Sequence, residues 1–409
     1  MEQSHEQTSA STYGIDALPY GVFDIGGEPR VGTRLGDNVI DLAEIAEKLH
    51  SPLRSQFAQP NLDVFLAAGK PVWDLARDTV TEWLTSSSLG GVIAQSSWPI
   101  TDVQMHMPFT VADYVDFFSS KDHAENLSTI LRPGQPPLQP NWLSLPVGYH
   151  GRAGTVVPSG TPVIRPSGQR PFTGNEPSDF GPTQKLDVEV EVGFVVGTAS
   201  PQGGPGVRTG DFEQHVFGVV LVNDWSARDI QAFEYVPLGP MLGKSFATSI
   251  SHWVLPLSAL HHARVPAPTP IRSQLPYLVS DDNWGLDLDL TLEINGVRLS
   301  QPRFRDMYWT PDQQLAHMTV NGASSRTGDL YASGTVSSPG NFGSLIEITA
   351  NGTTPWESAD ASPRTFLEDD DDVKITATAP GPHGTRIALG EVRGRVTPAD
   401  TSIRRPIES

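Results

Sequence analysis

The stretch Lys185-Leu186-Asp187-Val188-Glu189-Val190-Glu191-Val192 decides how this chain is read. Apolar and acidic residues alternate in it. On a strand, Leu186, Val188, Val190 and Val192 share one face, and Asp187, Glu189 and Glu191 share the other. An ordinary half-buried strand with its acidic face in water shows the same alternation. A chemical reading stands beside it: neighbouring carboxylates repel unless a cation sits between them. Oxygen-only ligands of this kind suit Mg²⁺ or Ca²⁺ rather than zinc.

Outward from this stretch the pattern stays β. Alternation continues to residue 196, and 217–222 reads as a buried strand. Residues 291–299 carry Asn295-Gly296 between apolar flanks, a hairpin signal, and 344–349 runs into Asn351-Gly352 in the same way. Near the start, 21–25, 30–35 and 39–42 read as short strands joined by Gly-rich turns. The 38 Gly and 36 Pro fit many strands and tight turns. The clearest helix is expected over 71–84, followed by a Ser/Gly-rich connector over 85–97. The expected class is mainly β (α+β). A loose leader covers 1–12, a small, separately packed N-terminal domain 13–105, and a larger C-terminal domain 106–409. The acidic run Glu368–Asp372 reads as a solvated loop.

The chain has 409 residues, 38% hydrophobic and 18% charged, which is ordinary globular material. With no cysteine, disulfide and thiolate chemistry are excluded, and a reducing cytoplasm is the default compartment. A formal charge of −19 argues against nucleic acid or an anionic membrane as partner. No apolar run is long enough to span a bilayer.

Three further clusters carry chemistry. Asn223-Asp224-Trp225-Ser226 ends the 217–222 strand, and Arg228, Gln231 and Tyr235 follow at helical spacing, on one side of a turn. Lys244 stands among glycines and apolar residues, an unusual setting for a merely solubilising lysine. Ser120 is placed to cap a helix with His123 in its first turn. Glu347 lies between aliphatic residues, on an expected strand, where it either faces water or orients a partner such as a histidine.

Read together, these segments resemble the fumarylacetoacetate hydrolase family. The motifs that carry the likeness are Asp116-Phe117-Phe118-Ser119-Ser120 with His123, Leu145-Pro146-Val147-Gly148-Tyr149-His150-Gly151-Arg152-Ala153, Asp187-Val188-Glu189-Val190-Glu191, Asn223-Asp224-Trp225-Ser226-Ala227-Arg228-Asp229-Ile230-Gln231, Gly243-Lys244-Ser245-Phe246, Ala332-Ser333-Gly334-Thr335 and Asn341-Phe342-Gly343-Ser344. They run in order from about Tyr20 to the C-terminus.

The resemblance implies an SH3-like N-terminal barrel, a mixed β-sandwich roll and a homodimer. It implies metal-dependent hydrolysis of fumarylacetoacetate to fumarate and acetoacetate, the last step of tyrosine and phenylalanine breakdown through homogentisate. Asp116, Glu189, Glu191 and Asp224 match divalent-metal ligands for Ca²⁺ or Mg²⁺, and Lys244 and Thr248 match positions around the ion. Asp187 is left as a bystander or outer support. His123 matches the base and Glu347 its orienting carboxylate. Arg228, Gln231 and Lys244 match oxyanion-stabilising groups. Phe118, Arg132, Tyr149, Gln231, Tyr235 and Thr335 match substrate-contacting positions, in a pocket expected to be locally cationic. Two residues depart from the family pattern: Phe118 stands where Tyr is common, and Ala247 where Gly is common. A non-catalytic calcium-binding β-protein would need the carboxylates but has no use for His123, Lys244 and Arg228 together.

Overall fold

The strands form where alternation and turn chemistry place them in a computed structural model that describes residues 12–171, 178–280, 282–400 and 402. Of the expected leader only Thr12 is among them, and its carbonyl accepts the Ala388 N–H at 2.9 Å.

Tyr20–Asp24, Arg30–Leu35 and Asn38–Asp41 run antiparallel in succession. Ser97–Pro99 and Gln104–Met105 pair on either edge to complete a five-stranded sheet. The expected helix is Lys70–Thr85, with Pro71 in its first turn and Trp73, Ala76, Val80 and Trp83 buried. The expected connector is not wholly irregular, because it holds a helix over Gly90–Gln95. Val92 and Ile93 pack on the neighbouring apolar cluster, and that packing overrides the weak helix propensity of two glycines.

The rest of the chain builds two larger sheets. In a mixed eight-stranded sheet Val190–Val196 and Val216–Asp224 pair antiparallel, Leu330–Ala332 follows, and Tyr114–Phe117 joins in parallel. A five-stranded sheet is centred on Asp289–Ile294, Asp372–Pro380 and Arg386–Thr397. Val192, Phe194, Val219 and Leu221 from the first meet Leu290, Leu292, Ile375 and Leu389 from the second in one core. The other face of the eight-stranded sheet offers Val195, Phe217, Val220 and Val222 to Tyr20, Phe57, Phe65 and Trp73. The N-terminal region is therefore not separately packed. It shares a core with the central sheet, whose strands read as apolar runs because both faces are covered.

Asn295 and Gly296, at φ of 51° and 77°, turn Asp289–Ile294 into Val297–Ser300 as expected. Asn351 and Gly352 also have positive φ, 58° and 88°, yet they follow a helical turn, Leu345–Ile348, instead of joining two strands. Glu347 thus stands on a helix and not on a strand. The expected strand over 185–196 is two pieces, Leu186–Asp187 and Val190–Val196. In the acidic run, Glu368, Asp369 and Asp370 are exposed as expected, but Asp371 is buried and bonded to Arg364 and Asn295.

Gly334 follows Leu330–Ala332 with φ of +76°, and a Cβ there would lie 2.1 Å from the Phe117 carbonyl oxygen. Gly334→Ala is expected to cost about 1–3 kcal/mol of stability, read by urea denaturation. Wild-type stability in that variant would show that the crossing relaxes freely.

Candidate active site

Four acidic side chains arrive from three strands and the link before one of them. Asp116 comes from Tyr114–Phe117, Glu191 from Val190–Val196 and Asp224 from the end of Val216–Asp224, while Glu189 sits just before Val190. Each offers one oxygen, and these oxygens all lie within 4.8 Å of one another. All four residues are buried, and so is Asp187, so no part of this acidic face looks into water.

Cations meet the cluster on one side. Lys244 Nζ donates to Asp224 Oδ2 at 2.8 Å and also to Glu189. Arg228 donates to Glu189 Oε1 and to Asp187 Oδ2, both at 2.7 Å, and to Gln231 Oε1 at 3.2 Å. Thr248 Oγ1 and the Tyr149 hydroxyl donate to Asp224 at 2.8 and 3.1 Å. Burial would raise the Glu189 carboxyl, but Lys244 and Arg228 outweigh it and hold it well below the glutamate range. Burial would likewise neutralise Lys244 and Arg228, yet the facing carboxylates keep both charged.

Among the described residues the other side of the cluster has no such partners. Asp116 Oδ1 and both Glu191 carboxyl oxygens are buried without a hydrogen bond. Burial first, and then the neighbouring carboxylates, push both groups well above the ordinary carboxylate range. The pocket is thus not locally cationic, as the sequence reading had it: its lysine and arginine are spent on carboxylates, and the centre stays anionic. Orphaned, all-oxygen, buried donors of this kind fit a hard divalent cation.

Beside this cluster Ser120 caps the helix Lys121–Leu131, accepting the His123 N–H at 3.2 Å. His123 is buried, with Nδ1 2.7 Å from Glu347 Oε2. Glu347 also accepts from Asn126 at 3.0 Å, Ser337 at 2.9 Å and Ser344 at 2.7 Å. Burial would raise its carboxyl, but His123 and these donors hold it below the usual range. A carboxylate on Nδ1 selects the Nδ1–H tautomer and leaves Nε2 as the free base. Sequence reasoning missed Asn126, Ser337 and Ser344. Asn126 carried a signal in its i+3 spacing from His123 on one helix, and Ser344 in its Ser-x-x-Glu spacing to Glu347.

The remaining expected residues scatter more widely. The half-buried Phe118 ring stands edge-on to His123, centroids 5.2 Å apart. Thr335 is buried in the loop after Leu330–Ala332. Arg132 caps the far end of the His123 helix, about 14 Å along its axis, and donates to Ser128 Oγ at 3.0 Å. Tyr235 ends the helix Arg228–Glu234 and is exposed. Ala247 has no positive φ, so it replaces the family's common glycine without strain. His150 pairs in register with Val115, as Tyr149 does with Asp116. Its side chain therefore points to the face of the sheet away from the acidic cluster.

The sequence matches two family models, fumarylacetoacetase N-terminal over residues 16–108 and fumarylacetoacetate hydrolase C-terminal over 114–397. It is 42% identical over 413 residues to the fumarylacetoacetase of Homo sapiens, covering 95% of this chain and 97% of that protein. To that of Arabidopsis thaliana it is 41% identical over 411 residues, covering 96% and 97%. Among solved structures, a fumarylacetoacetate hydrolase from Exiguobacterium antarcticum superposes with a TM-score of 0.54 at 15% identity, covering 94% of this chain and all of that one. A 2-hydroxyhepta-2,4-diene-1,7-dioate isomerase from Mycobacterium marinum reaches 0.51 at 15% identity, covering 93% and 98%. A hydrolase and an isomerase thus share this fold, so the fold alone does not name the reaction.

Proposed function

Because this chain belongs to the fumarylacetoacetate hydrolase family, we propose that it hydrolyses the carbon–carbon bond of fumarylacetoacetate, giving fumarate and acetoacetate in tyrosine and phenylalanine breakdown. The observation that carries this reading is the buried His123–Glu347 pair standing together with an acidic cluster that has orphaned oxygens.

Asp116, Glu189, Glu191 and Asp224 would hold a Ca²⁺ or Mg²⁺ ion, with Lys244 and Thr248 fixing Glu189 and Asp224. When bound, such an ion supplies Lewis-acid polarisation of the diketone oxygens. His123 Nε2 takes a proton from water as the hydroxide oxygen bonds to the fumaryl group's own ketone carbon. Glu347 stabilises the resulting imidazolium. The N–H groups of Lys244 and Arg228 that the carboxylates leave over, with the Gln231 amide NH₂, are assigned to the oxyanion that forms. As the carbon–carbon bond breaks, its electron pair leaves on the acetoacetate fragment as an enolate, which takes up the proton from His123. Water is thereby divided, OH to fumarate and H to acetoacetate.

Phe118, Tyr149, Tyr235 and Thr335 are assigned to substrate contact. Arg132, at the end of the His123 helix, is assigned to a substrate carboxylate as the family resemblance implies. We assign residues 13–105 to an SH3-like module and 106–409 to the catalytic roll. A homodimer is supported by an apolar loop in which Leu238 is 96% exposed beside Val236 and Met241. Sedimentation of Leu238→Glu tests that assembly. A cysteine-free chain suits the cytoplasm, which cell fractionation checks.

Chromatography of the products tests the reaction. Fumarate and acetoacetate in equal amounts are expected, and an isomer of the substrate with no cleavage would sink the proposal.

A further inference from the structure

Asp187 accepts four hydrogen bonds from two parts of the site. Its Oδ1 takes the N–H groups of Val188 at 2.8 Å and Leu345 at 2.7 Å. Its Oδ2 takes the Ile346 N–H at 3.0 Å and Arg228 Nε–H at 2.7 Å. Leu345 and Ile346 open the helical turn that carries Glu347, so the Asp187 carboxylate satisfies their otherwise orphaned donors and sets where that turn begins. Arg228, on its other edge, reaches Glu189 of the acidic cluster. A fully buried carboxylate is costly unless its acceptor sites are used, and here they are taken by the Glu347 turn, by Arg228 and by the Val188 backbone N–H. Simple space filling would be served as well by an apolar residue of the same volume.

We infer that Asp187 is a positioning residue that ties Arg228 and the His123–Glu347 pair into one unit, so that loosening either loosens the other. This rests on the roles given above to Arg228 and His123. Asp187→Asn replaces one acceptor oxygen by an NH₂ group that faces donors, so either the guanidinium or the helical turn loses its anchor. It is expected to lower kcat about 10–100-fold, the usual effect of an outer partner, with KM nearly unchanged.

Hydrogen exchange by mass spectrometry on the folded protein tests the coupling without reference to turnover. Arg228→Met removes a side chain that hydrogen-bonds nothing in residues 343–350. It is nonetheless expected to speed exchange at Leu345 and Ile346 roughly tenfold, about one lost hydrogen bond, as should Asp187→Asn. Unchanged exchange in that segment in both variants overturns the inference, and so does wild-type kcat in Asp187→Asn. Should Asp187→Asn fail to fold, the Arg228→Met exchange decides alone. If the wild-type chain does not cleave the diketone, the functional reading falls while the exchange result still decides the coupling.

Discussion

His123→Ala is expected to lower kcat at least ~10²-fold while leaving divalent-ion affinity nearly unchanged. Hydroxide at neutral pH is too scarce to attack a ketone unaided, so the water needs a base. His123 has one ring nitrogen committed to Glu347 and sits by the acidic cluster without contributing to it. His150, the nearest rival in sequence, shares a face with Val115 and not with Asp116. His150→Ala should therefore cleave at close to the wild-type rate. Glu347→Gln should be slow as well, since an amide keeps the shape but loses the imidazolium's counter-charge. Single-turnover cleavage with the ion saturating separates them. Wild-type cleavage by His123→Ala with none by His150→Ala would mean the wrong histidine has been named.

Glu191→Gln is expected to abolish tight ion binding and, in the ion-free protein, to raise stability by about 1 kcal/mol. Both Glu191 oxygens are buried with no hydrogen bond, and like charges surround them. A neutral amide spares the folded chain the cost of either charging or protonating that buried carboxyl, while the ion loses a ligand. The pH dependence follows from the direction of the shifts. Asp116 and Glu191 titrate higher in the folded chain than in an unfolded one. Their contribution to ion-free stability is full below the ordinary carboxylate range and is lost as pH rises through the folded values. A bound ion competes with those protons, so its affinity should fall as pH drops. Thermal unfolding with chelator or with ion at 100 times Kd reads this, the ion adding about 2.7 kcal/mol to wild type and none to Glu191→Gln. A Glu191→Gln chain destabilised without ion but still stabilised by it would contradict the ligand assignment.

Local chemistry made the Asn295-Gly296 hairpin, the Lys70–Thr85 helix and the Ser120 cap legible, because each depends on neighbours in sequence. The turn bearing Glu347 was misread as strand. Its N–H groups are satisfied by Asp187, more than 150 residues away, a partner no local pattern displays. The helix Gly90–Gln95 was hidden likewise, since packing and not propensity holds it. At the site, alternation put Glu189 and Glu191 on one face. Their meeting with Asp116 and Asp224 depends on strand order, and resemblance rather than periodicity named them. That Lys244 and Arg228 are spent on carboxylates, leaving an anionic centre, needed three-dimensional geometry.

The central claim is metal-dependent cleavage at the acidic cluster. Its most direct measurement is turnover of fumarylacetoacetate by protein stripped with chelator and titrated with Mg²⁺ or Ca²⁺. The rate is expected to rise from near zero to a plateau at one ion per chain. Full turnover by the stripped protein, or one ion bound per chain with no turnover, would contradict it.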